Sequence, residues 1–299
     1  MDFDVIIIGG GPAGLAAAAD LAAAQRRVLL LDRESFGGQV AKLEWIEDYP
    51  RAGERIEGPR LATAMVEQAG AAKMEINEVV EVESYSGCRS VTCADGKAYT
   101  AQALIIAGGL LSRPLGIPGE ERYQGKGMIH CAFCDGGLYA NKAVAVCGGG
   151  DAGVSEALYL SKFASTVHLI EAQAELSAAP ALQALARANP KLDIRLGSRP
   201  VAITGNDFVS HIEVEEAGGR CSLDVYGVLV HAGFDPVTEY LQGVVSLDER
   251  GCIETDAAME TDSAGIFAAG DIRSASPRRV AAAVSDGKTA AAAALRLLT

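Results

Sequence analysis

Positive charge is scarce in this sequence: 26 Lys and Arg stand against 39 Asp and Glu, a formal net charge of -13. Nucleic acids and anionic membrane surfaces reward clustered cations, so the composition supplies no electrostatic reason to bind either. Long apolar runs are missing as well. No stretch reaches the roughly 20 residues that a bilayer-spanning helix needs, and the opening "MDFDVIIIGG" has no basic region ahead of its short apolar run. A cytoplasmic location is the expectation. A disulfide framework is also lacking. The cysteines, Cys88, Cys93, Cys131, Cys134, Cys147, Cys221 and Cys252, are odd in number and scattered, unlike the paired sets of small secreted domains. Any disulfide should then be a working one. What is present is an ordinary globular composition, 49% hydrophobic and 22% charged over 299 residues, enough for one large or two medium domains.

The chain repeats itself. "DVIIIGGGPAGLAAAADLAAAQRRVLLLD" and "KAVAVCGGGDAGVSEALYLSKFASTVHLIE" share an apolar strand, a G-x-G-x-x-G turn, a small-residue helix and a second strand ending in an acid. The glycines are Gly9, Gly11 and Gly14 in the first unit, Gly148, Gly150 and Gly153 in the second. The first of each set makes the tight turn, the second lets backbone approach a pyrophosphate, and the third packs helix against strand. Asp32 and Glu171 each lie 18 residues beyond the last glycine, close to the spacing that brings a carboxylate to an adenosine ribose. One such motif is a weak signal, because glycine turns also serve packing. Two in full β-α-β context are strong.

Between and after these units, "AQALIIAGG" (101–109, with Gly108) and "SAGIFAAGD" (263–271) predict short strands closing on glycine. "SRPLGIPGEE" is punctuated by proline and glycine as an interdomain connection would be, and "HAGFDPVTEY" is its return. The second nucleotide unit is thus predicted to sit inserted in the first. Segments 76–100 and 207–231 alternate as small antiparallel strands. The last stretch, "RRVAAAVSDGKTAAAAALRLL", predicts a packed terminal helix interrupted at Asp286, Gly287 and Lys288. The predicted fold class is α/β: two Rossmann-like three-layer domains, each with a small antiparallel sheet.

"GMIHCAFCDGGL" (127–138) holds the one Cys-X-X-Cys pair. Zinc normally takes four Cys or His ligands, often as two close pairs, whereas Cys131, Cys134 and His130 form a single cluster. A pair of structural thiols is a second alternative. The third is redox, since Cys-X-X-Cys geometry lowers a thiol's pKa and suits disulfide exchange.

With "GGGPAG", "GGQ" (37–39), "IEDYP" (46–50), "CAFCDG" (131–136), "GGGDAG" and "GIFAAGDIR" (265–273) in this order, nearly the whole sequence resembles the low-molecular-weight thioredoxin reductases. The resemblance implies an FAD domain from 1–112 and 239–299, an inserted nicotinamide-nucleotide domain from 113–238, a hinge near Pro114 and Pro118, and a homodimer. It places the FAD pyrophosphate on Gly9, Gly11, Pro12, Ala13 and Gly14, with Gly38 and Gln39 beside the isoalloxazine and Asp271 at the ribityl-phosphate region. Asp48 stands where relatives usually carry Asn. In "PRRV", Arg278 is matched, Arg279 departs from the usual Gln, and Val280 follows; a cation here would stabilise reduced flavin. Cys134 is then the thiol next to the flavin, Cys131 the interchange thiol that attacks a partner disulfide, and Asp135 the acid-base residue. Helix capping is the plainer role for Asp135, and packing or solvation for His130.

The sequence departs from this family most at "HLIEAQAELSA" (168–178), where most relatives hold an arginine cluster for the 2′-phosphate of NADPH. Glu171 would repel that phosphate and could accept from a free ribose hydroxyl. The expected donor is therefore NADH, as in the NADH-dependent flavoprotein of alkyl hydroperoxide reductase, or a non-nicotinamide donor such as ferredoxin. The expected acceptor is thioredoxin or a similar disulfide protein. A flavin-dependent dithiol oxidase using oxygen, and a non-catalytic nucleotide- or metal-binding module, are the alternatives.

Overall fold

The apolar run that opens the chain becomes a strand, Phe3–Ile8, in which Val5, Ile6 and Ile7 are fully buried. The computed structural model describes residues 1–47, 49, 55–85 and 87–298 and divides into two units, Met1–Leu111 with Asp235–Thr299, and Ser112–Phe234.

In the first unit the glycine turn leads into helix Pro12–Ala23 and then strand Val28–Asp32, which pairs parallel with Phe3–Ile8 from Val5 opposite Val28 to Ile8 opposite Leu31. The sheet runs Lys73–Ile76, Val28–Asp32, Phe3–Ile8, Ala98–Ile106, Cys88–Cys93, Val79–Tyr85, and Ile266–Ala268 adds to Ala98–Ile106. Strand Ala98–Ile106 joins two sheet types. Its first residues pair antiparallel with Cys88–Cys93, and from Ala101 onward it pairs parallel with Phe3–Ile8. The predicted antiparallel strands of this unit are therefore continuous with its parallel sheet and not a separate one.

Helix Val280–Leu297 packs across Pro12–Ala23 through alanines, with Ala17, Ala18, Ala290, Ala291 and Ala294 fully buried. Contrary to the predicted interruption, it runs unbroken through Asp286, Gly287 and Lys288. Gly287 sits where a Cβ would drive into the Ala13 carbonyl, so the residue that weakens helix propensity is what lets the two helices meet.

The second unit repeats the plan with a five-stranded parallel sheet in the order Met128–Ile129, Gly227–Val230, Ala143–Cys147, Thr166–Glu171, Leu192–Leu196. Helix Asp151–Leu160 makes the crossover and buries Val154, Ala157 and Leu160 against one face. The opposite face packs on an antiparallel sheet of Arg199–Gly205, Val209–Glu216 and Gly219–Asp224, around Ile203, Ile212 and Val214.

Candidate functional site

Gly9 has a φ of +109°, and a Cβ there would meet the Ala107 carbonyl; a Cβ on Gly14 would meet the Gly9 carbonyl. These two glycines are required by packing alone. Gly11 is different: it caps helix Pro12–Ala23, no side chain bonds the helix's first amides, and the sole neighbour of a Cβ there would be Gly38 Cα at 4.0 Å. Uncapped amides, the helix dipole and room beside them make an anion cradle at Gly11, Pro12 and Ala13.

Asp32 braces this turn. Its Oδ2 accepts from the Gly10 N–H at 2.7 Å, and Oδ1 accepts from the N–H groups of Glu34 at 2.9 Å and Ser35 at 3.1 Å. The Gly37 N–H donates to the Gly10 carbonyl at 2.7 Å, which brings Gly38 over Gly11, and Gln39 Nε2 donates to the Leu110 carbonyl at 3.4 Å. Gly108 and Asp271 follow the carboxyl ends of Ala98–Ile106 and Ile266–Ala268, both parallel with Phe3–Ile8's sheet. Gly9, Asp32, Gly108 and Asp271 thus gather on one sheet edge, where ligands of open α/β sheets bind.

Burial pushes the Asp271 carboxyl up, against the Ser276 hydroxyl that donates to it at 3.0 Å and the charge of Arg278. Arg278 is exposed in the left-handed region at φ +54°, Arg279 caps helix Val280–Leu297, and Val280 is that helix's first residue. Asp48 lies outside the described residues. One residue the sequence did not single out is Tyr240, whose hydroxyl lies 3.7 Å from where a Gly108 Cβ would be and whose pKa burial raises. No motif marks it.

The second turn follows the same rules. Gly148, at φ +124°, lies against the His231 carbonyl, Gly153 against the Gly148 carbonyl, and a Cβ on Gly150 would meet only Ser177 Oγ at 3.7 Å. Glu171 Oε2 accepts from the Gly149 N–H at 2.6 Å and Oε1 from the Gln173 N–H at 2.8 Å. Residues 168–186 contain no Lys or Arg. The nearby strand's Arg195 is held by Asp193 at 2.8 Å and Glu216 at 2.7 Å. Behind the turn, His231 Nε2 faces Glu156 Oε2 at 3.1 Å, a half-buried pair that sequence patterns did not disclose.

Cys131 and Cys134 form a disulfide with Cα atoms 5.3 Å apart. Cys131 caps the single turn Ala132–Asp135, its Sγ accepting from the Cys134 N–H at 3.0 Å; Cys131 is buried and Cys134 exposed. That N–H would favour a thiolate at Cys131 once the disulfide opens. Asp135 makes no side-chain cap bond, so capping does not occupy its carboxylate. His130 is exposed. Elsewhere burial raises the thiol pKa of Cys93 and Cys252 and pushes Cys147 up to about 12.

Two Rossmann-like units in one chain, the second inserted in sequence and bearing a disulfide, are what the structure shows, and the family model of the pyridine nucleotide-disulphide oxidoreductases matches residues 3–287. The chain is 38% identical over 297 residues to the thioredoxin reductase of Bacillus subtilis, covering 97% of this chain and 92% of that one. It superposes on the Lactococcus lactis thioredoxin reductase with a TM-score of 0.90 at 35% identity, over 99% of both chains. A lesser likeness, TM-score 0.53 at 26% identity over 99% of this chain and 98% of that one, is to a ferredoxin-flavin thioredoxin reductase from Clostridium acetobutylicum. The chain belongs to the low-molecular-weight thioredoxin reductase family. It is a flavoprotein disulfide oxidoreductase, and the uncapped helix end and sheet edge of the first unit fit the family's FAD.

Proposed function

We propose that this enzyme carries electrons to the Cys131–Cys134 disulfide and from the resulting dithiol to thioredoxin or a similar small disulfide protein. The observation that carries this reading is a formed Cys-X-X-Cys disulfide in a chain whose other described cysteines are free thiols. FAD, when bound, supplies the two-electron relay between the donor and the disulfide.

The amides at Gly11, Pro12's helix and Ala13 would receive its pyrophosphate, Asp32 and Gly108 would face the adenosine side, and Gly38, Gln39, Asp271 and Arg278 would hold the ribityl and ring portions. The first unit is then the FAD domain and the second the nicotinamide-type domain. In the exchange step the Cys131 thiolate attacks a partner sulfur and forms a mixed disulfide. Cys134 then attacks Cys131, re-forming the intramolecular disulfide and releasing the partner's dithiol. Asp135 moves the proton at the departing or attacking sulfur.

The donor is not NADPH. Glu171 is anchored by two backbone amides, and the segment after it lacks cations, so a 2′-phosphate there meets repulsion and no partner. NADH suits that carboxylate; the likeness to a ferredoxin-flavin enzyme supports a one-electron protein donor as the other source. Anaerobic titration of the oxidised enzyme with NADH, NADPH and reduced ferredoxin, followed by flavin bleaching, tests this. Rapid bleaching by NADPH at low concentration overturns it. Oxygen uptake driven by a small dithiol would favour the oxidase alternative.

A further inference from the structure

Helix Val280–Leu297 turns an acid toward the interior. Asp286 is 6% exposed, and its Oδ2 accepts from Arg273 Nε at 2.6 Å and from the Gly270 N–H at 3.2 Å. Its Oδ1 accepts from Arg273 Nη2 at 3.0 Å, and Arg273 Nη1 donates to the Ser274 carbonyl at 3.2 Å. The pair is bidentate and nearly dry, with side-chain exposures of 15% and 8%. Gly270 and Arg273 bracket Asp271, the carboxylate at the sheet edge.

Gly270, at φ +78°, also lies against the first helix: a Cβ there would come within 3.0 Å of Ala13 Cβ. The residue after Asp286, Gly287, packs on the Ala13 backbone. Two consecutive residues of one helix therefore grip both the turn that presents Asp271 and the helix end that forms the anion cradle.

Burying an ion pair costs desolvation, and well-packed apolar residues stabilise a core as well or better. What the pair adds is geometry, because a bidentate fork allows one orientation of the turn relative to the helix. We infer that Asp286 and Arg273 are positioning residues of the cofactor site: they lock Asp271 and the Gly11 and Ala13 amides into one arrangement that grips FAD. This rests on the FAD assignment above. Removing the Asp286 charge leaves the Gly270 N–H and the Arg273 guanidinium buried with a weaker partner, and the Asp271 turn loses its tie to the helix.

The test uses the full-length flavin-loaded enzyme and its Asp286→Asn, Asp286→Glu and Arg273→Lys variants. Flavin fluorescence released on dilution gives the FAD dissociation rate, and anaerobic titration against a redox dye gives the flavin potential. Asp286→Asn and Arg273→Lys should release FAD about tenfold faster or more, a coupling about 1.4 kcal/mol deep, with Asp286→Glu recovering part of the loss. The melting temperature of the flavin-depleted chain should fall far less than that loss of FAD accounts for. Should Asp286→Asn not fold, Arg273→Lys, which keeps the charge and breaks the fork, decides alone. FAD release within twofold of the parent enzyme with an unchanged flavin potential, or FAD loss fully matched by lower stability of the depleted chain, would overturn the inference. A parent enzyme that retains no FAD would instead refute the cofactor assignment.

Discussion

The backbone N–H of Gly149 donates to Glu171 Oε2 at 2.6 Å, and the first unit makes the same bond between Gly10 and Asp32 Oδ2 at 2.7 Å. In both, a carboxylate at the end of the second strand reaches back to the glycine turn and fixes its shape. Glu171 is therefore part of the turn as well as a candidate ribose partner. Replacing it has two separable consequences, one for charge and one for order.

For the charge, NADPH should have a KM at least several-fold above that of NADH, since repulsion on the order of 1 kcal/mol acts on the 2′-phosphate. Glu171→Gln should narrow this gap, and Gln173→Arg should narrow it further by offering a fork to the phosphate. Stopped-flow flavin reduction with both nucleotides is the measurement; an unchanged ratio in both variants would count against the role given to Glu171.

Cys131→Ser and Cys134→Ser should each abolish thioredoxin reduction while dithionite still bleaches the flavin, because the dithiol acts after the flavin. The remaining thiols should differ. In Cys134→Ser, Cys131 retains a backbone N–H at its sulfur, so its alkylation should show a lower pKa than that of Cys134 in the reciprocal variant. The pH dependence of iodoacetamide labelling reads this directly.

Asp135→Asn should slow dithiol exchange by about 100-fold at neutral pH with normal FAD content, since proton transfer at sulfur is removed and no cap bond is lost. A variant that exchanges at the parent rate would assign the proton to solvent.

Burial raises the Asp271 carboxyl above its usual 3.8, so in the flavin-depleted chain ionisation of Asp271 opposes folding. The sign follows from linkage: stability held with Asp271 protonated is complete below the unfolded value and is lost as pH climbs through the raised folded value. Asp271→Asn should gain in melting temperature relative to the parent as pH rises from about 4 to 7. A gap that is flat or shrinks over this range would show that Ser276 and Arg278 outweigh burial.

Much of the site was legible along the chain because its chemistry demands local spacing. A Rossmann-like strand-to-helix turn needs glycine at Gly9, Gly11 and Gly14, and the Cys131–Cys134 disulfide needs two cysteines three apart. Asp286 and Gly287 were misjudged for the complementary reason. By local propensity they read as a break in the last helix; in the folded chain their backbone stays helical because Arg273, Gly270 and Ala13 meet them there. Tyr240 beside Gly108 and His231 beside Glu156 went unnoticed because the two members of each pair lie far apart in sequence and meet only in the fold.

By itself the sequence determined the two Rossmann-like folds, the family and the Cys-X-X-Cys pair, since periodicity, glycine geometry and cysteine spacing are local constraints that side-chain sterics write into adjacent residues. Tertiary structure alone decided how carboxylates are spent: Asp32 and Glu171 on their own turns, Asp286 on Arg273, Asp135 on no cap. A carboxylate's role depends on which donors reach it within about 3 Å, and chain topology sets those distances when the partners lie far apart in sequence.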